Sequence, residues 1–209
     1  MIAAARLYLV SPARLRAGEI AELVAELASA GVDVLQLREK EMEAADLLRV
    51  GEPVAAACRD AGVPFIVNDR PDVALALGAD GVHLGQNDLP VAVARRILGD
   101  AIVGCSTHAR AELDAAGAAR PGPDYIAVGP VHATPTKPGR PGTGLDLVSY
   151  AAACAAPPWF AIGGIDRATL PSVLEAGARR IVVVRAITES PAPAEAAAEL
   201  RDLLDAVEL

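Results

Sequence analysis

Short apolar runs rich in β-branched residues recur through this chain, separated by longer amphipathic, alanine-rich stretches. The short runs have the length of buried strands, and the longer stretches have the apolar spacing of helices. Strands are predicted at 7–10, 34–37, 65–67, 81–84, 102–104, 125–128, 159–162 and 181–184. Helices are predicted between them, including 19–30, 44–61, 91–98, 145–155 and 168–176. This alternation restricts the fold more than any other feature, because parallel strands need such crossovers.

Eight strand–helix units in succession predict an α/β fold, a single-domain (β/α)₈ TIM barrel that spans residues 1–209. An open, doubly wound sheet is the alternative, but eight such units close more naturally than they spread. Glycines stand just past three predicted helices, at Gly31, Gly62 and Gly177, where a left-handed residue ends a helix. No linker or break in composition indicates a second domain.

Composition restricts the partners and the compartment. With 53% hydrophobic but only 3% aromatic residues, the core is expected to consist of Val, Ile, Leu and Ala. The net charge of −8 argues against a nucleic-acid partner, and no apolar run approaches the roughly 20 residues of a membrane span. The N-terminal sequence lacks signal-peptide features, and the three cysteines are far apart. We therefore predict a soluble cytoplasmic protein.

The scarcest polar residues all lie at or beyond the carboxyl ends of predicted strands. The chain has two lysines, against seventeen arginines, and four side-chain amides. They are Lys40, Lys137, Gln36, Gln86, Asn68 and Asn87. Because the active site of a (β/α)₈ barrel lies at the carboxyl ends of its strands, we expect these residues to gather at one mouth.

Three cations are expected on the rim of that mouth. Arg38 and Lys40 are two apart at the end of one strand, so their side chains leave on the same side, and Lys137 comes from another loop. On an acidic protein, such a group indicates a phosphate or diphosphate ligand. The alternative is a set of surface charges paired with neighbours such as Glu39.

Two aspartates end adjacent predicted strands. Asp69 and Asp88 are therefore expected to lie roughly 5 Å apart, where two carboxylates repel unless a proton or a metal lies between them. Beside a phosphate site, Mg²⁺ held by these carboxylates and by substrate oxygens accounts for the pair. Alternatively, Asp88 caps the helix that follows it.

A second phosphate site is indicated at Gly163 and Gly164, which follow the seventh strand and precede a helix. Two anionic subsites imply two substrates or one long one. The proline- and glycine-rich segment 132–144 is unusually long and could close over the mouth. His83 is expected to be structural, and neither His108 nor His132 is paired with a nucleophile.

Six segments together resemble the thiamine-phosphate synthase family, in order and spacing, over nearly the whole chain. They are Gln36-Leu37-Arg38-Glu39-Lys40, Val67-Asn68-Asp69, residues 81–88, Gly104-Cys105-Ser106, Gly129-Pro130-Val131 with Thr134-Pro135-Thr136-Lys137, and residues 161–165. The resemblance implies a transferase that joins hydroxymethylpyrimidine diphosphate to a thiazole phosphate, giving thiamine phosphate and diphosphate. It also implies a dissociative mechanism that needs no nucleophile or strong base from the protein.

The resemblance assigns roles residue by residue. It implies a metal site at Asp69 and Asp88 for Mg²⁺, and leaving-group stabilisation by Arg38, Lys40 and Lys137. The pyrimidine diphosphate would contact Gln36, Leu37, Arg38, Glu39, Lys40, Asn68, Ser106 and Lys137. The thiazole phosphate would contact Thr134, Pro135, Thr136, a glycine of Gly163-Gly164, Val184 and Arg185. The chain departs from the family pattern at Arg185, where Ser is usual, and in the segment Val131-His132-Ala133, which replaces a more usual aromatic-proline pair.

Three rival functions are open to a barrel of this kind. A thiazole tautomerase-like isomerase would bind a thiazole phosphate but would not need the diphosphate and metal residues as a set. A non-catalytic, thiazole phosphate-binding relative should have lost part of that set. A sugar-phosphate isomerase should have one phosphate subsite and a placed acid–base pair. Small-molecule substrates and a possible homo-oligomer complete the expectations.

Overall fold

The computed structural model describes residues 2–133 and 142–208, which form a closed barrel of eight parallel strands with helices around it. The strands are β1 (Leu7–Ser11), β2 (Val34–Leu37), β3 (Phe65–Asn68), β4 (Gly81–Leu84), β5 (Ile102–Thr107), β6 (Tyr125–Val128), β7 (Trp159–Ile162) and β8 (Ile181–Val183). The helices are α1 (Ile20–Ser29), α2 (Ala44–Ala61), α3 (Pro71–Ala76), α4 (Val91–Leu98), α5 (Arg110–Ala118), α6 (Leu145–Cys154), α7 (Leu170–Glu175), α8 (Arg185–Thr188) and α9 (Pro193–Asp205). The predicted (β/α)₈ fold is confirmed.

The predicted elements differ from the observed ones mainly at their ends. β5 continues to Thr107, three residues beyond its predicted end, whereas β8 stops at Val183 because Val184 already precedes α8. A short hairpin of Arg14–Leu15 and Gly18–Glu19 between β1 and α1 was not predicted. Within the described residues, no helix is both long enough and apolar enough to cross a membrane.

Strand pairing places all carboxyl ends on one face. β1 pairs in parallel with both β2 and β8, which closes the barrel. In this register Leu9 lies opposite Leu35 on one side and Val183 on the other. Each loop that follows a strand therefore reaches the same mouth.

The core has two layers of different composition. The outer layer, between strands and helices, is mainly aliphatic, as the composition predicts. The barrel interior instead contains the rings of Tyr8, Tyr125 and Phe160, with ring centroids 5.5 to 5.7 Å apart. The expectation of a core built from Val, Ile, Leu and Ala therefore holds for most of both layers, since six of the nine interior residues are Val, Ile or Ala, but it missed the three rings. A few large rings occupy the space that small strand residues leave open.

Three aspartates join pairs of strands at the opposite, amino-terminal face. Asp33, Asp80 and Asp124 stand directly before β2, β4 and β6. Each accepts a backbone N–H from the start of the preceding strand, at 2.7 to 2.9 Å. Hydrogen bonds to a charged acceptor contribute about 1.5–3 kcal/mol each. This face therefore contributes to the stability of the barrel.

Candidate active site

Two cavities open at the carboxyl-terminal mouth of the barrel. The smaller, of about 70 Å³, lies over the barrel interior between the ends of β2, β3, β4 and β5. The larger, of about 380 Å³, lies beside the ends of β7 and β8. The smaller cavity brings together eight residues predicted from the sequence: Gln36, Arg38, Lys40, Asn68, Asp69, Asp88, Ser106 and Val184.

The two described cations of the predicted rim line the smaller cavity. Lys40 Nζ lies 3.2 Å from Asp69 Oδ2, so its partner is a residue of the site rather than a neighbouring surface glutamate. Arg38 takes part in none of the ion pairs found within the described ranges. Its charge is available to an anion in the cavity.

The residues that alternate with these cations, Leu37 and Glu39, point elsewhere. Leu37 is buried in the outer core, and Glu39 accepts a hydrogen bond from the backbone N–H of Ala13 at 2.7 Å. The period-2 alternation of an extended segment explains the separation, since alternate side chains leave on opposite sides. Neither of these two residues lines the smaller cavity.

Asp69 is held in an unusual conformation by its neighbours. Its φ of +64° is the one positive value among the described non-glycine residues. The backbone N–H of Asp69 donates to the His83 carbonyl on β4 at 2.8 Å. Burial, and then the adjacent Asp88 carboxyl, raise the pKa of Asp69, while Lys40 opposes the shift. A strained, partly buried carboxyl beside a second one is typical of a functional site.

Asp88 belongs to the site and does not cap the following helix. One carboxylate oxygen accepts the Gly85 N–H at 2.7 Å, which closes the loop after β4. Helix α4 begins at Val91 after Pro90, without a side-chain cap. The choice left open by the sequence is decided by this loop, which turns Asp88 toward Asp69.

Gln36 and Ser106 line the floor of the smaller cavity and are connected through three buried residues. Gln36 Nε2 donates to the Tyr8 hydroxyl at 2.7 Å, and that hydroxyl lies 2.8 Å from the Tyr125 hydroxyl. Tyr125 contacts His83 Nδ1 at 3.0 Å, and His83 Nε2 contacts Ser106 Oγ at 2.9 Å. Neither tyrosine was predicted as a site residue. The signal available in the sequence was a tyrosine, whose ring carries a hydroxyl, within an otherwise apolar strand.

Gly163 and Gly164 line the larger cavity in conformations that favour glycine. Their φ values are +109° and +63°. A Cβ on Gly164 would lie 2.7 Å from the Cβ of His132, which lines the same cavity. His132 Nε2 is buried without a hydrogen-bond partner. The two glycines let backbone amides approach this cavity closely.

The helix after these glycines begins later than predicted. α7 starts at Leu170, and Asp166 already accepts the N–H groups of Ala168 and Thr169 at 3.0 and 2.9 Å. These two N–H groups lie in the turn before α7, so the Asp166 carboxylate occupies the donors of that turn. The glycine segment and the end of β8 are the other parts of the larger cavity that face an anion.

The end of β8 supplies the remaining predicted contacts. Val184 and Arg185 both line the larger cavity, and Arg185 begins α8. The Arg185 guanidinium lies 3.8 Å from a Glu189 carboxylate oxygen, and both side chains are largely exposed. This pair is long and solvated, so it leaves Arg185 able to contact an anionic ligand.

Four predicted residues lie outside the described residues: Thr134, Pro135, Thr136 and Lys137. Most of the predicted lid lies there as well. Its two flanks reach the mouth, because His132 N–H donates to the Gly163 carbonyl at 3.0 Å and Thr143 N–H donates to the Pro130 carbonyl at 2.7 Å. The described residues just before this segment, including His132 and Ala133, line the larger cavity.

Comparison with known proteins identifies related sequences and structures. The family model described as thiamine monophosphate synthase matches residues 7–187. Thiamine-phosphate synthase from Acidothermus cellulolyticus is 54% identical over 200 residues, covering 95% of this chain and 94% of the relative. The Streptomyces avermitilis protein of the same name is 55% identical, covering 95% and 93%. The structure of thiamine phosphate pyrophosphorylase from Pyrococcus furiosus is 31% identical, with a TM-score of 0.86 and 96% of each chain covered.

Proposed function

The chain belongs to the thiamine monophosphate synthase family, and we propose that it joins hydroxymethylpyrimidine diphosphate to a thiazole phosphate. One observation carries the proposal. A single barrel mouth combines two cations, a close pair of carboxylates and a neighbouring cavity with glycine amides. A diphosphate leaving group and a second phosphorylated substrate need these two subsites side by side.

The bond changes require charge stabilisation rather than a protein nucleophile. The C–O bond between the pyrimidine methylene and the diphosphate breaks, and its electron pair leaves with the diphosphate. The thiazole nitrogen then donates its lone pair to the methylene carbon, forming the C–N bond of thiamine phosphate. Arg38 and Lys40, with Lys137 from the segment outside the described residues, would hold the departing diphosphate.

The carboxylate pair fits a divalent cation. Two carboxyls close enough to raise the pKa of Asp69 repel each other, and a cation between them would remove that cost. No cluster of three or more His, Cys, Asp or Glu side chains suited to a metal occurs in residues 2–133 and 142–208. Asp69 and Asp88 would therefore hold Mg²⁺ together with water and substrate oxygens. When bound there, the ion would supply charge neutralisation at the diphosphate.

The larger cavity is the proposed thiazole phosphate subsite. Gly163 and Gly164 would offer backbone N–H groups, and Arg185 would contribute a positive charge. Thr134, Pro135 and Thr136 are proposed contacts from the segment outside the described residues. The two subsites adjoin at Ile162, Val182 and Val184, which line both cavities. This adjacency would bring the thiazole nitrogen to the methylene carbon.

The direct test mixes purified protein with both phosphorylated substrates, with Mg²⁺ or with a chelator, and measures thiamine phosphate by chromatography. We expect product with Mg²⁺ and a strong reduction in chelator. Absence of product in both would refute the synthase. Conversion of the thiazole phosphate alone into an isomer would instead support the tautomerase-like alternative.

A further inference from the structure

Five polar side chains form one continuous series of hydrogen bonds across the barrel interior, beneath the smaller cavity. In order they are Gln36, Tyr8, Tyr125, His83 and Ser106, which we call the floor relay. All five are at most 7% exposed, and the two tyrosines are fully buried. The reaction described above assigns no role to the three middle residues.

The number of protons that each side chain can donate determines which group donates and which accepts along the floor relay. The Gln36 amide nitrogen can only donate, so the Tyr8 oxygen accepts from it. The single Tyr8 proton then needs an acceptor, and within the described residues the Tyr125 oxygen is the one it contacts. The opposite direction would leave a buried hydroxyl proton unsatisfied, at a cost of about 1–3 kcal/mol.

The same direction of hydrogen bonding determines which ring nitrogen of His83 carries the proton. Because Tyr125 accepts from Tyr8, its own proton is donated to His83 Nδ1. In a neutral imidazole the other nitrogen then carries the proton, so Nε2 donates to Ser106 Oγ. The Ser106 hydroxyl proton is thereby left to point toward the cavity.

The two ends of the floor relay consequently present opposite polarities. Ser106 offers a hydrogen-bond donor, and Gln36, whose amide nitrogen is engaged, offers its amide oxygen as an acceptor. An aminopyrimidine has the complementary arrangement, since its ring nitrogen accepts and its exocyclic amino group donates. An oxopyrimidine in its lactam form has the opposite arrangement, since its ring N–H donates and its exocyclic oxygen accepts.

We propose that Tyr8, Tyr125 and His83 are positioning residues, which hold Ser106 as a donor and Gln36 as an acceptor so that the mouth recognises the aminopyrimidine. This inference rests on the proposed function. Local packing holds the relay in place. The Tyr125 ring fills the space left by Gly104, where a Cβ would overlap it, and Phe160 packs edge-on against both tyrosine rings.

The test uses Tyr125→Phe, which removes only the hydroxyl between Tyr8 and His83. We expect the KM for the pyrimidine diphosphate to rise about 3- to 10-fold, as for loss of one buried hydrogen bond. The KM for the thiazole phosphate should not change, nor should the calorimetric affinity for inorganic diphosphate with Mg²⁺. Tyr8→Phe should behave in the same way. Unchanged kinetics in both variants, or an equal loss of diphosphate affinity, would overturn the proposal.

A packing control separates the relay from general loosening of the core. Phe160→Leu removes ring contacts from both tyrosines but no hydroxyl. It should lower the melting temperature while leaving the pyrimidine KM within about twofold of wild type, since surrounding hydrogen bonds remain. A rise in KM as large as that of Tyr125→Phe would show that packing alone is responsible.

The tautomer of His83 is an independent readout. The chain has three histidines, so nitrogen NMR of the wild type, with His83→Gln for assignment, can identify its ring signals. The floor relay requires the Nε2–H form, and the Nδ1–H form would overturn the assigned direction. An inactive wild type would defeat the proposed function, whereas an active wild type with an unaffected Tyr125→Phe defeats only the relay.

Discussion

At the scale of single residues, Asp69 combines backbone strain, burial and a close carboxyl neighbour. Its φ of +64° costs most side chains about 1–2 kcal/mol, although Asp and Asn tolerate it better. The conformation places the carboxyl between Lys40 and Asp88. Asp69→Asn is therefore a cleaner variant than Asp69→Ala, because it keeps both the shape and the backbone preference.

We expect Asp69→Asn to reduce turnover by about 100-fold or more, the scale of losing one group that stabilises developing charge. The barrel should stay folded by circular dichroism. Asp72→Asn is the matched control, because Asp72 pairs with Arg70 on the surface, and its turnover should not change. Wild-type turnover in Asp69→Asn would refute the metal assignment.

The same variant, Asp69→Asn, tests how the stability contributed by Asp69 depends on pH. Because the pKa of Asp69 is raised in the folded protein, folding disfavours its ionised form. The contribution of Asp69 to stability therefore falls as the pH rises above the unfolded pKa of about 3.9. In chelator, Asp69→Asn should melt above wild type at pH 7 and close to it at pH 4. The same difference in melting temperature between Asp69→Asn and wild type at both pH values would contradict this prediction.

The prediction for Lys137 depends on the sequence alone. Lys137→Ala should lower turnover severely without unfolding the protein, because an ammonium that neutralises a departing diphosphate acts mainly in the transition state. Arg140→Ala removes a charge from the same segment and is the comparison. Turnover should be measured at saturating substrates, and equal effects of the two variants would remove the special role of Lys137.

At the scale of elements, the loops after the strands carry the chemistry, and their conformations depend on glycine at few positions. Gly164 follows β7 at φ +63° and packs against His132. Gly62 ends α2 at φ +69° with open space around it. The two positions therefore have similar backbone strain in different surroundings.

Gly164→Ala and Gly62→Ala should each lose about 1 kcal/mol of stability, roughly 2–4 °C in melting temperature, from the left-handed backbone. Gly164→Ala should lose more than this, because its Cβ would lie 2.7 Å from the Cβ of His132. Only Gly164→Ala should raise the KM for the thiazole phosphate, by about tenfold, because its new Cβ meets His132 beside the cavity. The KM for the pyrimidine diphosphate should be unchanged. A thiazole phosphate KM that stays at the wild-type value would argue against this subsite.

At the scale of the whole molecule, the barrel divides stability and chemistry between its two faces. Asp33 accepts the backbone N–H groups of Arg6 and Leu7 at 2.7 and 2.9 Å, and the Arg201 guanidinium at 3.0 Å. It thereby ties β1 to α9 where the barrel closes. This face lies opposite the mouth, as is usual for residues that stabilise such barrels.

Asp33→Ala should destabilise the protein by about 2–3 kcal/mol, or roughly 5–10 °C in melting temperature, because two partly buried N–H groups lose their acceptor. Turnover measured well below the transition should remain at the wild-type level. Asp60→Ala, at an exposed position on α2, should change neither quantity. Loss of turnover in folded Asp33→Ala would show that the two faces are coupled.

Most of the fold could be predicted because its signals are local. The spacing of apolar residues predicted all eight strands, with errors confined to their ends. The rule that strand ends share one mouth also gathered Arg38, Lys40, Asn68, Asp69, Asp88 and Ser106 correctly around one cavity. The aspartates before β2, β4 and β6 are a further local signal of where strands begin.

Only the tertiary structure decided which partners the side chains have. The sequence allowed Asp88 to cap a helix or to face Asp69, and the Gly85 loop selects the second. It gave no reason to connect Tyr8 with Tyr125, which are 117 positions apart and meet across the barrel interior. Apolar periodicity reports on neighbours along the chain, whereas contacts across a barrel depend on closure and register. The sequence by itself therefore determined the barrel and its mouth, and the closed barrel determined how the floor of that mouth is held.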